Sequence, residues 1–322
     1  MKTILMAGFV AVGLLNTSLA FAGKCKIGEY QLCRKEAVAG DVVAQNKLGL
    51  MYDKGRGVTQ DYKEAVKWFR KAANQGDAIA QDNLGIMYDK GHGVTQDYKE
   101  AVKWFRKAAN QGVVKAQGTL GSIYMDGRGV RRDDKEAVKW FRKAASQGDA
   151  IAQVFLGAIY MDGRGVRRDD KEAVKWFRKA ENQGLAAAQV FLGLMYYNGR
   201  GVTQDYKEAV KWFRKAANQE VAKAQSYLGN MYYRGRGVAQ DYKEAVKWFG
   251  KAASQGAAGA QNNLGVMYAE GYGIPKDLVL ACKWFNLAAA QGEKSAFENR
   301  ENLEKSMTPS QIKKAQELAR KF

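Results

Sequence analysis

Apolar residues recur along this chain with a period of 36. Trp68, Trp104, Trp140, Trp176, Trp212, Trp248 and Trp284 fall on that period, and no tryptophan lies outside the series. Leu48, Leu84, Leu120, Leu156, Leu192, Leu228 and Leu264 keep the same spacing, each with a glycine after it, and a tyrosine column runs from Tyr52 to Tyr268. Seven copies in register, without insertions, mark one supersecondary unit stacked on itself and not a set of separate globular domains.

Within a copy, Asp41 to Lys54 has helical periodicity, Gly55-Arg56-Gly57 breaks it, Asp61 to Gln75 resumes it and Gly76 ends it. Each copy is therefore predicted to fold as two antiparallel helices. At about 100° per residue the second helix gathers Ala65, Val66, Trp68, Phe69, Ala72 and Ala73 into an arc of about 160°. Lys63, Glu64, Lys67, Arg70, Lys71 and Asn74 fill the opposite side. The tryptophan and phenylalanine columns thus read as core, each side chain worth a few kcal/mol of transfer free energy, and not as a sugar platform or a base-stacking strip. Asp61 and Glu64 have the spacing of a capping box, as do Asp97 with Glu100 and Asp205 with Glu208.

The expected fold is all-α, an α/α superhelical solenoid of seven 36-residue hairpins over residues 41–292, preceded by a cap at 23–40. Residues 293–322 lack the Leu-Gly signature and carry Arg300 where the leucine would stand, so they read as polar capping helices. Three departures mark expected weak points: Glu220 in place of a helix-ending glycine, Glu181 in place of an edge alanine, and Leu280 where a capping glutamate would be. The junction near Glu220 is expected to be less regular than its neighbours.

At the N-terminus, Lys2, an apolar run from Ile4 to Leu15, polar Asn16-Thr17-Ser18 and then Ala20-Phe21-Ala22 give the order of a cleavable secretory leader ending at Ala22. The apolar run is too short to span a bilayer, which needs about 20 residues, and Lys24 separates Gly23 from Cys25, which spoils a lipobox. A periplasmic or secreted protein that does not cross a membrane is expected. In an oxidising compartment Cys25 and Cys33 are the pair to join. On one helix they would lie about 12 Å apart, beyond the ~7 Å a disulfide tolerates, so a bridge needs Cys25 in chain that folds back; the alternative is two free thiols. Cys282, in a column otherwise filled by valine, reads as a buried, inert thiol.

The pattern Ala-Gln-x-x-Leu-Gly-x-Met-Tyr, Gly-x-Gly, Asp-Tyr-Lys-Glu-Ala-x-Lys-Trp-Phe-x-Lys-Ala-Ala, whole at residues 44–73, resembles the Sel1-like repeat, a relative of the tetratricopeptide repeat. The resemblance covers about residues 41–292 and implies a right-handed superhelix of hairpins that serves as a protein-interaction scaffold, commonly exported. The tail from Met307 through Thr308-Pro309 to Ala319 resembles the closing helix found after such arrays.

Because packing explains the repeated columns, recognition is expected where the copies differ. On the first helix, the columns headed by Asn46, Lys47, Leu50, Asp53 and Lys54 vary freely. They carry Phe155, Phe191 and Tyr227 in one column and Met125, Met161, Tyr197 and Tyr233 in another. This stripe is expected to form an apolar band on the concave surface that anchors a protein or peptide ligand; the alternative is that it fills gaps between neighbouring first helices.

Formal charge is +19, and loss of Lys2 with the leader lowers it by one. Lysines of the second helix supply most of it, so an acidic envelope polymer is the alternative partner. Nucleic acid is not expected, since no groove-matching motif is present and the chain reads as exported. A monomer without a cofactor is expected.

Catalytic readings are weaker. Some secreted relatives of the family are classed as β-lactamases, and Ser310-Gln311-Ile312-Lys313 has the Ser-x-x-Lys spacing, but neither Ser-Asp-Asn nor Lys-Thr-Gly accompanies it. A helix-starting serine is the better account. His92 is the only histidine, which rules out clustered histidine metal sites; it stands where other loops mostly carry arginine. Asp133-Asp134 and Asp169-Asp170 lie at helix starts, where anions complement the dipole. The Gly-x-Gly loops lack the Lys-Ser/Thr of a phosphate cradle. A non-enzymatic binding protein is the reading that remains.

Overall fold

The computed structural model describes residues 25–27 and 29–322. The expected leader at 1–22 lies outside them. The described residues form 17 helices and no strand, and the chain divides into two units at Asp133 and Asp134. The first contains α1 (Tyr30–Val38), α2 (Val42–Lys54), α3 (Tyr62–Asn74), α4 (Ala78–Lys90), α5 (Tyr98–Asn110) and α6 (Val114–Asp126). The second begins with α7 (Asp134–Ser146), α8 (Ala150–Asp162), α9 (Asp170–Glu181), α10 (Ala186–Asn198), α11 (Tyr206–Asn218) and α12 (Ala222–Arg234). It continues through α13 (Tyr242–Ser254), α14 (Ala258–Glu270), α15 (Leu278–Ala290), α16 (Lys294–Glu304) and α17 (Pro309–Arg320).

Within each unit, a hairpin closes because its first helix carries no side chain where the second approaches. A Cβ added at Gly193 would lie 2.5 Å from the Phe213 ring, and one at Gly49 2.5 Å from Phe69. The Leu-Gly signature therefore serves helix contact: Leu192 and Phe213 are both fully buried beside that glycine. Successive hairpins are then stapled by buried polar groups, which need partners away from water. Gln81 is 4% exposed, donates to the Ala73 carbonyl at 3.1 Å and accepts from Gln111 at 2.8 Å. In the second unit Gln225 repeats this, donating to Ala217 and accepting from Gln255. On the second helices Arg70 donates to the Tyr88 hydroxyl, and Arg142, Arg178 and Arg214 donate to Tyr160, Tyr196 and Tyr232.

Trp68, Trp104, Trp140 and Trp248 are buried, while Trp176, Trp212 and Trp284 are half-buried. In the first six copies a lysine three residues on lies over the indole, at 4.4 Å for Lys71 and 4.1 Å for Lys179, and in the last Lys283 lies over Trp284 at 4.5 Å. Part of the lysine arc thus covers the tryptophan column through cation–π contact.

The aspartate N-caps form as expected: Asp61 accepts from the amides of Lys63 and Glu64, and Asp205 from those of Lys207 and Glu208. The reciprocal half of the box is replaced, because Glu64 and Glu208 bind Lys67 and Lys211 one turn on. A complete capping box stands at Thr308 and Gln311. Glu220 does not loosen its junction. It takes φ +62°, the left-handed geometry of the glycines in the other copies, and α11 and α12 keep their usual bounds. Glu181 forms an ion pair with Lys215 at 2.9 Å, and Leu280 still donates its amide to Asp277.

Cys25 lies ahead of α1 and folds back onto Cys33, with a Cα separation of 5.1 Å and a disulfide between them. Lys47, only 2% exposed, donates to the Cys25 carbonyl at 2.6 Å and ties this cap to α2. Cys282 is fully buried, and burial pushes its thiol up to about 11.

Candidate functional site

The stripe expected to anchor a ligand separates into layers of differing exposure. In the first unit Met125 is half-buried near the end of α6. In the second unit Phe155 on α8, Phe191 on α10 and Tyr227 on α12 each lie nearly flat against a second-helix phenylalanine. Ring centroids are 4.9 Å apart to Phe141, 4.7 Å to Phe177 and 4.8 Å to Phe213. One face of each ring is thus spent on packing. Phe191 is 8% exposed and Met161 7%, both in the core around Phe177, whereas Phe155 and Tyr227 are half-buried. The column headed by Asn46 closes the other side: Val154 belongs to the core around Phe191, Val190 to the one that Tyr227 joins, and Asn262 accepts from Asn299 at 2.9 Å.

Tyr197 and Tyr233 are half-buried and end their helices beside the loops. The Arg236 guanidinium donates to the Tyr197 hydroxyl and sits 5.7 Å over the Tyr197 ring and 5.6 Å over that of Tyr206. Tyr233 lies 5.6 Å from Tyr242 and 6.3 Å from Tyr272, and Tyr242 stacks on Tyr272 at 4.9 Å. Lys223 lies 5.9 Å over the Tyr227 ring; burial lowers the lysine pKa and raises that of Tyr227. The result is a ledge of tyrosine edges with cations set among them, able to give apolar contact, hydroxyl hydrogen bonds and positive charge to an extended chain.

Arg236, Tyr206, Tyr242 and Tyr272 were not candidates from the sequence. The signal was there: an arginine 39 residues after a first-helix position, one repeat plus three, meets it in space. Arg200 donates to the Met161 carbonyl and Arg128 to Asp89 over that same interval. Residues suspected on other grounds stand apart from the ledge residues. His92 stacks on Tyr62 at 4.5 Å, and Ser310 is exposed in the first turn of α17. Asp169 caps α9, and Asp170 is held by Arg168 and Arg200.

A family model described as the Sel1 repeat matches residues 42–77, 78–113, 114–149, 150–185, 186–221, 222–256 and 258–293. The chain belongs to the Sel1 repeat family. A Sel1 repeat protein from Oxalobacter formigenes is 37% identical, with a TM-score of 0.73 over 88% of this chain and 83% of that one. A protective antigen present in uropathogenic Escherichia coli strains, displaying an SLR fold, is 32% identical, with a TM-score of 0.55 over 92% of this chain and 87% of that one. No curated protein matches. Within the Sel1 framework the Leu-Gly, Trp-Phe and Gln columns belong to the repeat itself. The ledge tyrosines stand in columns where the copies of this chain differ. No described helix is long and apolar enough to cross a membrane.

Proposed function

We propose that this Sel1 repeat protein is an exported, non-enzymatic scaffold that binds an extended protein or peptide segment on the first-helix face of its second unit. Tyr197, Tyr227 and Tyr233 are the contact residues, and Phe155, Phe191 and Met161 support them from below. One observation carries the reading. On a scaffold whose other columns are spent on stacking, these tyrosines remain half-exposed, and Arg236 and Lys223 hold two of them in place. Half-buried tyrosines on a rigid frame bind with little loss of side-chain entropy. Export is supported by the leader pattern and by the Cys25–Cys33 disulfide, a bond that persists in oxidising compartments.

The test is a titration of peptides selected on the mature chain, against the protein and a Tyr197→Ala/Tyr227→Ala variant. Since both rings are half-buried, the variant is expected to keep its helical circular dichroism. Affinity is expected to fall at least about tenfold, the cost of losing one aromatic anchor, and binding by the unaltered protein is expected to survive high salt. Equal affinities would remove the ledge as the site.

A further inference from the structure

The second unit holds an open cleft of about 770 Å³, lined by Arg142 of α7, Tyr160 of α8, the segment Val166 to Lys171, and Gly201, with no ledge tyrosine among them. Its sequence sets two of the seven copies apart from the rest. At 167–170 the sequence reads Arg-Arg-Asp-Asp, where residues 59–62, 95–98 and 203–206 read Thr-Gln-Asp-Tyr. The carboxylates in the wall are already engaged. Asp169 accepts from the Glu172 amide at 2.9 Å. Asp170 lies 2.7 Å from Arg168 and 2.8 Å from Arg200, and the two guanidinium groups, Arg168 first, hold its carboxyl down to about 2.

Three cations remain without a carboxylate. Arg142 donates to the Tyr160 hydroxyl at 2.6 Å, which leaves the hydroxyl hydrogen for a further acceptor. Among the described residues, none forms an ion pair or hydrogen bond with the side chain of Arg167 or of Lys171. Two guanidinium forks, an ammonium and a hydroxyl therefore face one space whose fixed negative charge is already neutralised.

We propose that this cleft binds a dianionic oxyanion group of the phosphate-ester or pyrophosphate type, with Arg142, Arg167 and Lys171 as its ligands and Tyr160 as a hydroxyl donor. A single carboxylate would leave two of the cations unmatched, whereas a dianion presents several acceptor oxygens to the forks. The cleft is far larger than one tetrahedral oxyanion, so the group is carried on a bigger molecule, either soluble or a lipid headgroup.

The test uses the purified protein and a variant returned to the sequence of its sister copies: Arg167→Thr, Arg168→Gln and Asp170→Tyr. The same four residues recur at 131–134, so Arg131→Thr, Arg132→Gln and Asp134→Tyr are made with them. The replacement segment already opens α3, α5 and α11 with the same aspartate cap, and the variant is expected to fold. A second variant, Lys63→Gln with Lys99→Gln, removes the same net charge at exposed sites elsewhere. Inorganic pyrophosphate is titrated by calorimetry, and vesicles of zwitterionic lipid with and without phosphatidic acid are tested by flotation.

Pyrophosphate affinity is expected to fall at least about tenfold in the first variant, as charge-assisted hydrogen bonds are lost, and to stay unchanged in the second. If flotation on phosphatidic acid falls with the same substitutions, the group is a headgroup; if only pyrophosphate binding falls, it belongs to a soluble ligand. Equal loss in both variants would assign binding to the diffuse positive field and overturn the proposal. So would the absence of saturable binding to either probe.

Discussion

Asp82 sits on α4 with 5% of its surface exposed, and its Oδ1 has no hydrogen-bond partner. Burial pushes its carboxyl from 3.8 up to about 6, and Lys115 on α6 pulls the other way. A folded pKa above the unfolded one means that the fold prefers the protonated acid. Its contribution is therefore complete below about pH 4, is lost as pH rises from about 4 to 6, and is absent above that. The interval from 3.8 to about 6, at 1.36 kcal/mol per pH unit, comes to about 3 kcal/mol. Asparagine at this position would remove the charge at nearly constant volume, and the fold already accepts it in the same column. Asn46 takes a hydrogen bond from Asn83 at 3.1 Å, and Asn262 one from Asn299 at 2.9 Å. The Asp82→Asn variant is expected to match the unaltered protein near pH 4 and to exceed it by up to about 3 kcal/mol near pH 8. Amide hydrogen exchange in α4 and α6, corrected for intrinsic rates, measures this locally. A variant that keeps the pH dependence of the original, or that is less protected at pH 8, would refute the reasoning.

Three further outcomes follow from single columns. Gly250 stands where five other copies donate an arginine to the next tyrosine, and a Cβ there meets nothing within 4 Å. Gly250→Arg should remove a helix-interior glycine and reach Tyr268, adding about 1 kcal/mol, read as a raised thermal midpoint. Glu220→Gly should relieve a left-handed non-glycine residue and add about 1 kcal/mol in urea titration, whereas Gly76→Glu should cost a similar amount. Gly193→Ala forces a Cβ against the Phe213 ring and should cost about 1–3 kcal/mol, seen as faster exchange in α10 and α11.

The hairpin bounds and the stacking columns were legible because a 36-residue period repeats the same physical demand seven times. The Cys25 fold-back followed only on condition of a bridge to Cys33, which the sequence left open against two free thiols. One copy of Leu-Gly beside Trp-Phe is ambiguous; seven in register leave stacking as the only arrangement that buries them all. Glu220 shows the limit of reading one residue at a time. Its substitution for glycine suggested a less regular junction, yet the hydrogen bonds from Glu220 and Val221 to the end of α11 hold the turn. The capping glutamates mislead likewise, since a lysine one turn on competes for the carboxylate.

What the sequence by itself determined is the repeated architecture, because the positions that make it are local in the chain and recur. What only the tertiary structure decided is which variable positions remain accessible. Phe191 and Tyr197 lie six residues apart on one helix, yet Phe191 is enclosed against Phe177 while Tyr197 keeps an edge at the loop under Arg236. That difference depends on the hairpins before and after each residue, and exposure is a property of neighbours brought together by stacking.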